Sequence, residues 1–515
     1  MEMRMGRLAF LLTTGLVLLF LLGSPSHGDI YGFVSRQGTE FQLGGVPYYF
    51  MGASYFNAMN YGADLTMQAE LAGDFAALRA LGVTNVRIWA SSEGPGGSLQ
   101  LTPSLQPSPG TFNETLLSGL DYALKTAAAN DLRAVLVLNN NWDWSGGMNQ
   151  YVNWSPTTNK TLPNDQWGQG ARHDQFYTDA NCRTAYQDFI STIINRENTA
   201  FADHRLYRDD PTIFAWELAN EPRATNAGQS VLNEWLGTMA GYIKSQDPNH
   251  MVTTGSEGFF NRPWTGHWWD NPAYVGTDFV ANHASVNIDY ATVHIWPFNW
   301  GWYPGTDAYA RAMQFLADHV TSAENDLGKP LVLEEFGLLR DNDPAGQGIA
   351  PPGSPTADRD LFFQGYFDQL YDSASVGGPA AGSNFWTYQV DPPQEPQGLY
   401  SVYDPEDSAT LAIITAEASR IQGLMPVPGD ADFDHRIDSA DLAVWQRNYD
   451  PLGLNADTFP MGDWDFNGVI DSADLALWQR NYDPLGTTSQ SVVPEPATLL
   501  LVGAGVLGLL RRFKR

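Results

Sequence analysis

The chain has 515 residues and carries 58 acidic against 28 basic side chains, a formal net charge of −30. That balance excludes a nucleic-acid binder, which needs a basic face for phosphates, and 43% hydrophobic with 17% charged residues excludes a disordered chain. The length allows two or three domains, or one large one with ample core, and the single cysteine, Cys182, excludes an intrachain disulfide or a cysteine-rich metal site.

Residues 1–28 read as an address. Arg4 and Arg7 precede an apolar run from Leu8 to Leu22, and Ser26-His27-Gly28 follows. A basic start, an apolar stretch too short to span comfortably and small residues at the exit describe a secretory signal peptide cut near Gly28, rather than a membrane anchor. An exported protein with one cysteine draws its stability from core size, not from disulfides.

Residues 29–424 form the expected main domain. Eight apolar segments centre on Tyr48–Gly52, Val83–Trp89, Ala134–Asn139, Ile213–Asn220, Met251–Ser256, Ala291–Ile295, Leu331–Glu335 and Asn384–Thr387. Each is followed by a stretch long enough for a helix. Continuous apolar strands separated by helices mean a parallel sheet buried on both faces, and eight such units predict an α/β fold, a (β/α)8 TIM barrel. A doubly wound sheet is the alternative, but no glycine-rich phosphate fingerprint follows an early strand. The segment Gly32–Gly45, with turns at Gly38 and Gly44-Gly45, predicts a hairpin closing the barrel bottom.

In such a barrel the chemistry sits at the carboxyl ends of the strands. Glu221 ends the fourth strand in Trp216-Glu217-Leu218-Ala219-Asn220-Glu221-Pro222-Arg223, and Glu335 ends the seventh in Leu333-Glu334-Glu335-Phe336-Gly337. Two inward carboxylates facing each other across the mouth are what glycoside hydrolysis needs: one protonates the leaving oxygen, the other acts on the opposite face of the ring. Glu217 shares the parity of Glu221 but lies deeper, as a paired interior group. Parity points Glu334 away from Glu335, towards the helix layer.

Asn220-Glu221-Pro222 with Glu335-Phe336-Gly337 resembles glycoside hydrolase family 5 of clan A. Tyr55-Phe56-Asn57-Ala58-Met59, the run from Val86 to Gly94, and Leu138-Asn139-Asn140-Asn141-Trp142 extend the resemblance to the β-mannanase subfamily of fungi and plants. Phe176–Asp179, Asp209–Ile213, Gly255–Phe259 and Gly276–Phe279 extend it further, over essentially all of residues 31–390. The resemblance implies a secreted endo-β-1,4-mannanase that retains configuration and needs no cofactor, with Glu221 as acid/base and Glu335 as nucleophile.

On that footing Glu335 must be ionised, with Arg87 its expected cationic neighbour, while Glu221 holds its proton longer. Asn220 suits the sugar 2-hydroxyl, and His294 joins the active-site network. Trp296 stands where many members carry Tyr to hydrogen-bond the nucleophile. Trp386 matches the ring under the sugar being cleaved, and Trp142, Arg223 and Glu257 match the leaving-group side. Trp264, Trp268, Trp269, Trp300 and Trp302 lie on loops, split between cleft lining and packing. Another β-1,4-glycanase of the family, such as an endoglucanase, and a non-catalytic polysaccharide-binding protein are the alternatives.

Residues 429–486 hold a duplication. Ile437–Gly453 and Ile470–Gly486 differ only at Val444 versus Leu477, with a period of 33. Asp430, Asp432, Asp434, Asp438 and Asp441 precede or open the first copy; Asp463, Asp465, Asn467, Asp471 and Asp474 do so for the second. These are positions 1, 3, 5, 9 and 12 of a calcium loop, with backbone carbonyls of Arg436 and Val469 at position 7. With 12 Asp and three Arg the segment carries −9 in 58 residues, too self-repelling to fold well without a bound cation. Leu442, Trp445 and Tyr449, and Leu475, Trp478 and Tyr482, form apolar stripes expected in the core. The module resembles a type I dockerin, an α-helical calcium-binding unit, which implies Ca2+ and a cohesin-like protein partner. Position 6 is Gly468 in the second loop but His435 in the first, where a left-handed backbone costs a side chain about 1 kcal/mol; the first loop is therefore the weaker expected site.

Residues 487–515 read Val493-Pro494-Glu495-Pro496, an apolar stretch from Ala497 to Leu510, and a basic end, Arg511–Arg515. This resembles the PEP-CTERM sorting tail, which implies a sorting enzyme acting on the tail and a secreted or cell-surface location in a Gram-negative-type bacterium.

Overall fold

The computed structural model describes residues 30–95, 101–263, 275–341, 354–389 and 400–486. The expected leader and sorting tail, and Trp264, Trp268 and Trp269, lie outside the described residues.

A floor sheet comes first: β1 (Ser35–Gln37), β2 (Glu40–Leu43) and β3 (Val46–Tyr48), paired antiparallel in that order. The barrel strands follow: β4 (Phe50–Ser54), β5 (Asn85–Trp89), β6 (Arg133–Val137), β7 (Ile213–Glu217), β8 (Met251–Thr253), β9 (Ala291–Ile295), β10 (Leu331–Phe336) and β11 (Ala380–Phe385). Every residue of these eight strands is buried, as parallel strands covered on both faces must be. They pair in parallel in the order β8-β7-β6-β5-β4-β11-β10-β9. The ring closes between β8 and β9, where Asp289 N–H donates to Val252 O at 2.8 Å and the Thr253 hydroxyl donates to Tyr290 O at 3.0 Å. The result is a (β/α)8 barrel. Two of its helices begin where short polar side chains satisfy free amides: Asn113 accepts from Thr115 N–H ahead of Glu114–Ala129, and Asp179 from Cys182 N–H ahead of Ala180–Ile194.

Two strand positions differ from expectation. β4 begins at Phe50 rather than Tyr48 because Val46–Tyr48 belongs to the floor sheet, which has three strands where a hairpin was expected. β11 begins at Ala380, four residues before the expected Asn384. Its Ala-Ala-Gly-Ser start lacks the bulky residues that mark a strand, and the smallness is structural: a Cβ on Gly382 would lie 2.4 Å from the Phe50 ring.

Phe41 of β2 seals the barrel base. It is fully buried, 5.2 Å from the Phe214 ring, 5.3 Å from Tyr290 and 6.3 Å from Phe50. Those three rings sit at or just ahead of the starts of β7, β9 and β4, so one side chain ties the floor to strands from across the ring.

The C-terminal repeats form two helices, Ser439–Asn448 and Ser472–Asn481, each opened by a capping box, Asp438 with Asp441 and Asp471 with Asp474. The repeats clasp reciprocally. Trp445 Nε1 donates to Asp471 O and Trp478 Nε1 to Asp438 O, both at 2.9 Å, and bridges join Ile437 to Asp483 and Asp450 to Ile470. The expected core stripe holds only at its tryptophans: Trp445 and Trp478 pack with Val444 and Leu477 against Phe459 and Trp464, and Leu442 and Leu475 lie outside that cluster. Tyr449 and Tyr482 fall just past the helix ends, 52% and 51% exposed, each leaning on its own tryptophan.

Phe41→Ala should destabilise the barrel by about 3–5 kcal/mol in urea denaturation, the usual cost of emptying an aromatic core site. A loss under about 1 kcal/mol would mean that the floor sheet stands outside the cooperative core.

Candidate active site

The mouth is organised around one buried cation. Arg87, third residue of β5, is fully buried and lies over the Trp89 ring at 4.6 Å. Its Nε and Nη2 each donate to Glu217 at 2.6 Å, Nη2 also to Asn220 Oδ1 at 2.9 Å, and Nη1 to Glu335 Oε1. A guanidinium is the one side chain whose fixed fork can serve three acceptors at once. Asn220 is held from its other side as well, donating to Asn140 Oδ1 at 3.2 Å.

Glu221 stands just beyond β7 with φ +53, a left-handed backbone unusual for a side-chain residue. Its N–H donates to Gly255 O at 2.8 Å. That approach requires glycine at 255, where φ is +73 and a Cβ would lie 2.1 Å from Ala219 O. The carboxylate then receives Trp142 Nε1–H at 2.6 Å on Oε2 and faces His294 Nδ1 at 2.8 Å on Oε1. His294 Nδ1 is also 3.5 Å from Glu335 Oε2. One oxygen of each acid and a nitrogen of His294 lie within 4.8 Å of one another.

Glu334 does not face the helices. The β9–β10 register jumps from Leu333↔Val293 to Glu335↔His294, so one extra residue is inserted at 334 and parity breaks there. Glu334 is fully buried with Oε2 3.4 Å from His294 Nε2.

Four carboxyl groups thus share the interior with Arg87 and His294. Burial would lower His294, but the Glu335 charge and hydrogen bonds to Glu221 and Glu334 lift it well above the ordinary imidazole value. Burial pushes Glu217 up to about 7 against the opposing pull of Arg87. Burial likewise raises Glu335, opposed by His294 and Arg87. For Glu221 burial is outweighed by the His294 hydrogen bond and charge, helped by Arg223 and Trp142, which hold it below the usual carboxylate range. This order reverses the simple expectation that Glu221 keeps its proton longer than Glu335. The physical reason is His294, whose contact with Glu221 favours the charged form of both groups, so they titrate as one unit.

A cleft of about 1160 Å³ opens over these acids. On one side Arg223 makes a bidentate pair with Glu257 at 2.6 and 2.7 Å and lies 5.0 Å over the Trp142 ring, while burial pushes Glu257 up to about 7. Trp386 stacks on Phe56 at 5.3 Å, nearly parallel, and lines the cleft. Trp296 packs edge-on to Trp386 and Tyr400; among the described residues it makes no hydrogen bond to Glu335, whose place is fixed by Arg87 instead. Trp302 is core packing beside Phe315, and Trp300 packs there too while also lining the cleft. Of the aromatic lining residues, three escaped sequence reasoning: Trp144, Tyr400 and Trp167, the last 65% exposed on a loop tip that Asp165 braces by accepting the N–H groups of Trp167 and Gln169.

In the acidic loops Asp430, Asp432 and Asp434 converge in the first, and Asp463, Asp465 and Asp474 in the second. Asp438, Asp441 and Asp471 serve the helix caps, and Asp441 also accepts Ala431 N–H. Asn467 Oδ1 accepts Val469 N–H at 2.9 Å. In each loop the position-1 carboxylate gives one oxygen to the position-6 amide, His435 or Gly468, while Asp430 Oδ1 and Asp463 Oδ1 remain buried without a partner. His435 takes the left-handed backbone that its position demands, φ +64.

Arg87→Met should cost about 3–5 kcal/mol of stability at neutral pH, because it strands Glu217 and Glu335 as buried unpaired acids. Their pKa values, already raised, would rise further, so the deficit should shrink as pH falls and both become neutral; urea denaturation across pH 4–8 measures this. A deficit that does not change with pH would assign the loss to packing alone.

Residues 31–425 match the family described as GH family 5 beta-mannosidase-like, and residues 492–515 match the PEP-CTERM protein-sorting motif. Mannan endo-1,4-beta-mannosidase 7 of Arabidopsis thaliana is 33% identical, covering 76% of this chain and 85% of the relative. Mannan endo-1,4-beta-mannosidase 1 of Oryza sativa subsp. japonica is also 33% identical, covering 81% and 93%. The glycoside hydrolase family 5 mannosidase from Rhizomucor miehei superposes with a TM-score of 0.64 at 32% identity, covering 77% of this chain and 99% of that one. The endo-1,4-beta-mannanase from the same fungus gives 0.62 at 28%, covering 76% and 99%. With its barrel, its strand-end acids and these relatives taken together, the chain belongs to glycoside hydrolase family 5, among its beta-mannosidase-like members.

Proposed function

We propose that this protein is an exported endo-β-1,4-mannanase that cleaves internal bonds of mannan, glucomannan or galactomannan with retention of configuration. The observation that carries it is the facing pair Glu221 and Glu335, with an oxygen of each within 4.8 Å of the other. Retaining enzymes hold their carboxyl groups about 5–5.5 Å apart, whereas inversion needs about 6.5–9.5 Å to seat a water between them. The relatives named for mannan point to the polymer.

In the first step Glu335, oriented by Arg87, bonds to the anomeric carbon as the glycosidic C–O bond breaks, and Glu221 gives its proton to the leaving oxygen. In the second, Glu221 takes a proton from water, the water oxygen bonds to the same carbon, and Glu335 leaves. A proton on His294, whose Nδ1 lies 2.8 Å from Glu221, would be the reservoir for that donation. Glycosylation of Glu335 removes the charge that most supports a proton on His294, so His294 stays neutral while Glu221, its proton already given to the leaving oxygen, remains the carboxylate that a base must be. Asn220, fixed by Arg87 and Asn140, suits the sugar 2-hydroxyl; Trp386 suits the ring being cleaved, and Trp142, Arg223 and Glu257 the leaving-group side. Two carboxyl groups and water balance every proton and bond, so catalysis calls for no cofactor.

Reducing-sugar release by the chain should be fast on galactomannan and slow on carboxymethyl-cellulose, and Glu335→Ala should remove it by orders of magnitude while sugar binding persists. A preference for cellulose would keep the mechanism and make the protein an endoglucanase. Release from neither polymer, with binding intact, would leave a polysaccharide-holding surface.

The sorting motif at residues 492–515 supports export, with a sorting enzyme acting on the tail and the mature protein secreted or held at the cell surface. The repeats we read as a dockerin-like pair of Ca2+ loops. The orphaned oxygens of Asp430 and Asp463 fit a cation, which would be held by Asp430, Asp432 and Asp434 in one loop and Asp463, Asp465 and Asp474 in the other, with Asp438, Asp441, Asn467 and Asp471 around them. The bound ion would supply positive charge against mutual repulsion. A cohesin-like protein is the partner this reading implies.

Calcium titration of Asp430→Ala and Asp463→Ala chains should find the first loop weaker, since it places His435 in a left-handed turn and leaves Asp432 and Asp434 exposed. A tighter first site would overturn that ranking.

A further inference from the structure

The repeats lie against the floor of the barrel. Phe459 N–H donates to Gly44 O at 3.2 Å, and Val46 of β3 shares a buried cluster with Ala431, Phe459 and Trp464. Phe466 completes the seam and is the side chain that belongs to both sides: it packs on that cluster and on the floor cluster containing Phe41 and Leu43. Its ring fills the space over Gly44, where a Cβ would lie 2.4 Å away, and its Cβ reaches Gly32, where a Cβ would lie 3.2 Å away. The β2–β3 turn, with φ +57 at Gly44, is thus shaped to receive an aromatic ring.

Phe466 is position 4 of the second acidic loop, between Asp465 and Asn467, and its own φ is +63. The other copy has Phe433 at the same position with φ +60. Both rings stack on Phe459, at 5.7 Å for Phe466 and 6.1 Å for Phe433, but Phe433 is 43% exposed. Two nearly identical repeats therefore have unequal fates: one position-4 ring is committed to the barrel, the other faces solvent.

A left-handed backbone costs a non-glycine residue about 1–2 kcal/mol. In the second loop, Asp463, Asp465 and Asp474 converge around the orphaned Asp463 oxygen. Their mutual repulsion works against the closed turn that presents Phe466, and a cation drawn between them would remove that opposition. We propose that cation binding in the second loop and docking of the repeats onto the barrel floor are one coupled event, transmitted by Phe466, so that the partner of this face is the protein's own barrel. The inference rests on the calcium reading above. Coupling of this kind is reciprocal: the docked ring strengthens cation binding by the same factor that the cation strengthens docking.

The test uses the chain from residue 29 onward, with terbium luminescence sensitised by Trp464 to report binding, and limited proteolysis of residues 424–430 with and without Ca2+ to report docking. Ca2+ should slow cleavage by about 5–150-fold, the ordinary span of a coupling free energy, and should contract the particle in solution scattering. Phe466→Ala should still bind terbium, less tightly, but lose the Ca2+-dependent protection. Gly44→Ala, which crowds the ring from the barrel side, should lose it too, while Phe433→Ala keeps it. Protection that survives in both Phe466→Ala and Gly44→Ala, or that Phe433→Ala removes equally, overturns the coupling. Absence of terbium binding by the unaltered chain overturns it together with the calcium reading, and so marks that failure apart.

Discussion

Arg87 is the constraint on which the active end of this barrel depends. A guanidinium with no exposure is costly to bury and stays because four of its five N–H donors are used: Glu217 takes two, Asn220 one and Glu335 one. Those partners come from β7, the turn after it and β10. A single charge from β5 therefore fixes, across the barrel, the distance between the segments that carry the two facing acids. Deepest of the set, Glu217 acts as the buried counter-charge that lets Arg87 point upward, leaving Nη1 for Glu335.

His294 does for protons what Arg87 does for geometry. It lies between Glu221, Glu335 and Glu334, within 2.8, 3.5 and 3.4 Å. Three acids around one imidazole favour its charged form, which relieves their mutual repulsion. The two acids that face the cleft then need no opposite intrinsic pKa values: their roles are assigned by which of them a neighbouring donor touches. Glu221 accepts Trp142 Nε1–H and faces His294 Nδ1, whereas Glu335 is held by a group that cannot give up its proton.

The barrel and its two facing acids were legible because their signals are local. Fully covered strands read as apolar runs, and strand ends select Glu221 and Glu335 from 58 acidic residues. What was not legible depends on contacts distant in sequence. β11 starts with small residues because Phe50, 332 positions earlier in register with Gly382, needs the room. Glu334 turns inward through a bulge visible only in its pairing with β9. Trp144, Trp167 and Tyr400 are brought to the cleft by three different loops, and no periodicity marks such residues. Tyr449 follows the helical spacing of Leu442 and Trp445, yet the helix ends at Asn448, so the period overreaches by one residue.

The two ends of the barrel share a physical device. Glu221 at the mouth and Phe466 at the floor are both non-glycine residues in left-handed backbone, at φ +53 and +63. Neither conformation is favourable alone, and each is held by its surroundings: Glu221 by the Gly255 carbonyl, Trp142 and His294, Phe466 by Gly44, Phe459 and the acidic loop in which it sits. The supports differ in kind. Those at the mouth are hydrogen bonds from rigid elements of the barrel, which keep a carboxylate aimed whatever the cleft contains. Those at the floor include carboxylates that repel one another, so the hold there depends on something that neutralises them. The same local strain thus makes a permanent fixture at one end and a conditional one at the other, and the difference lies wholly in the charge of the groups that surround it.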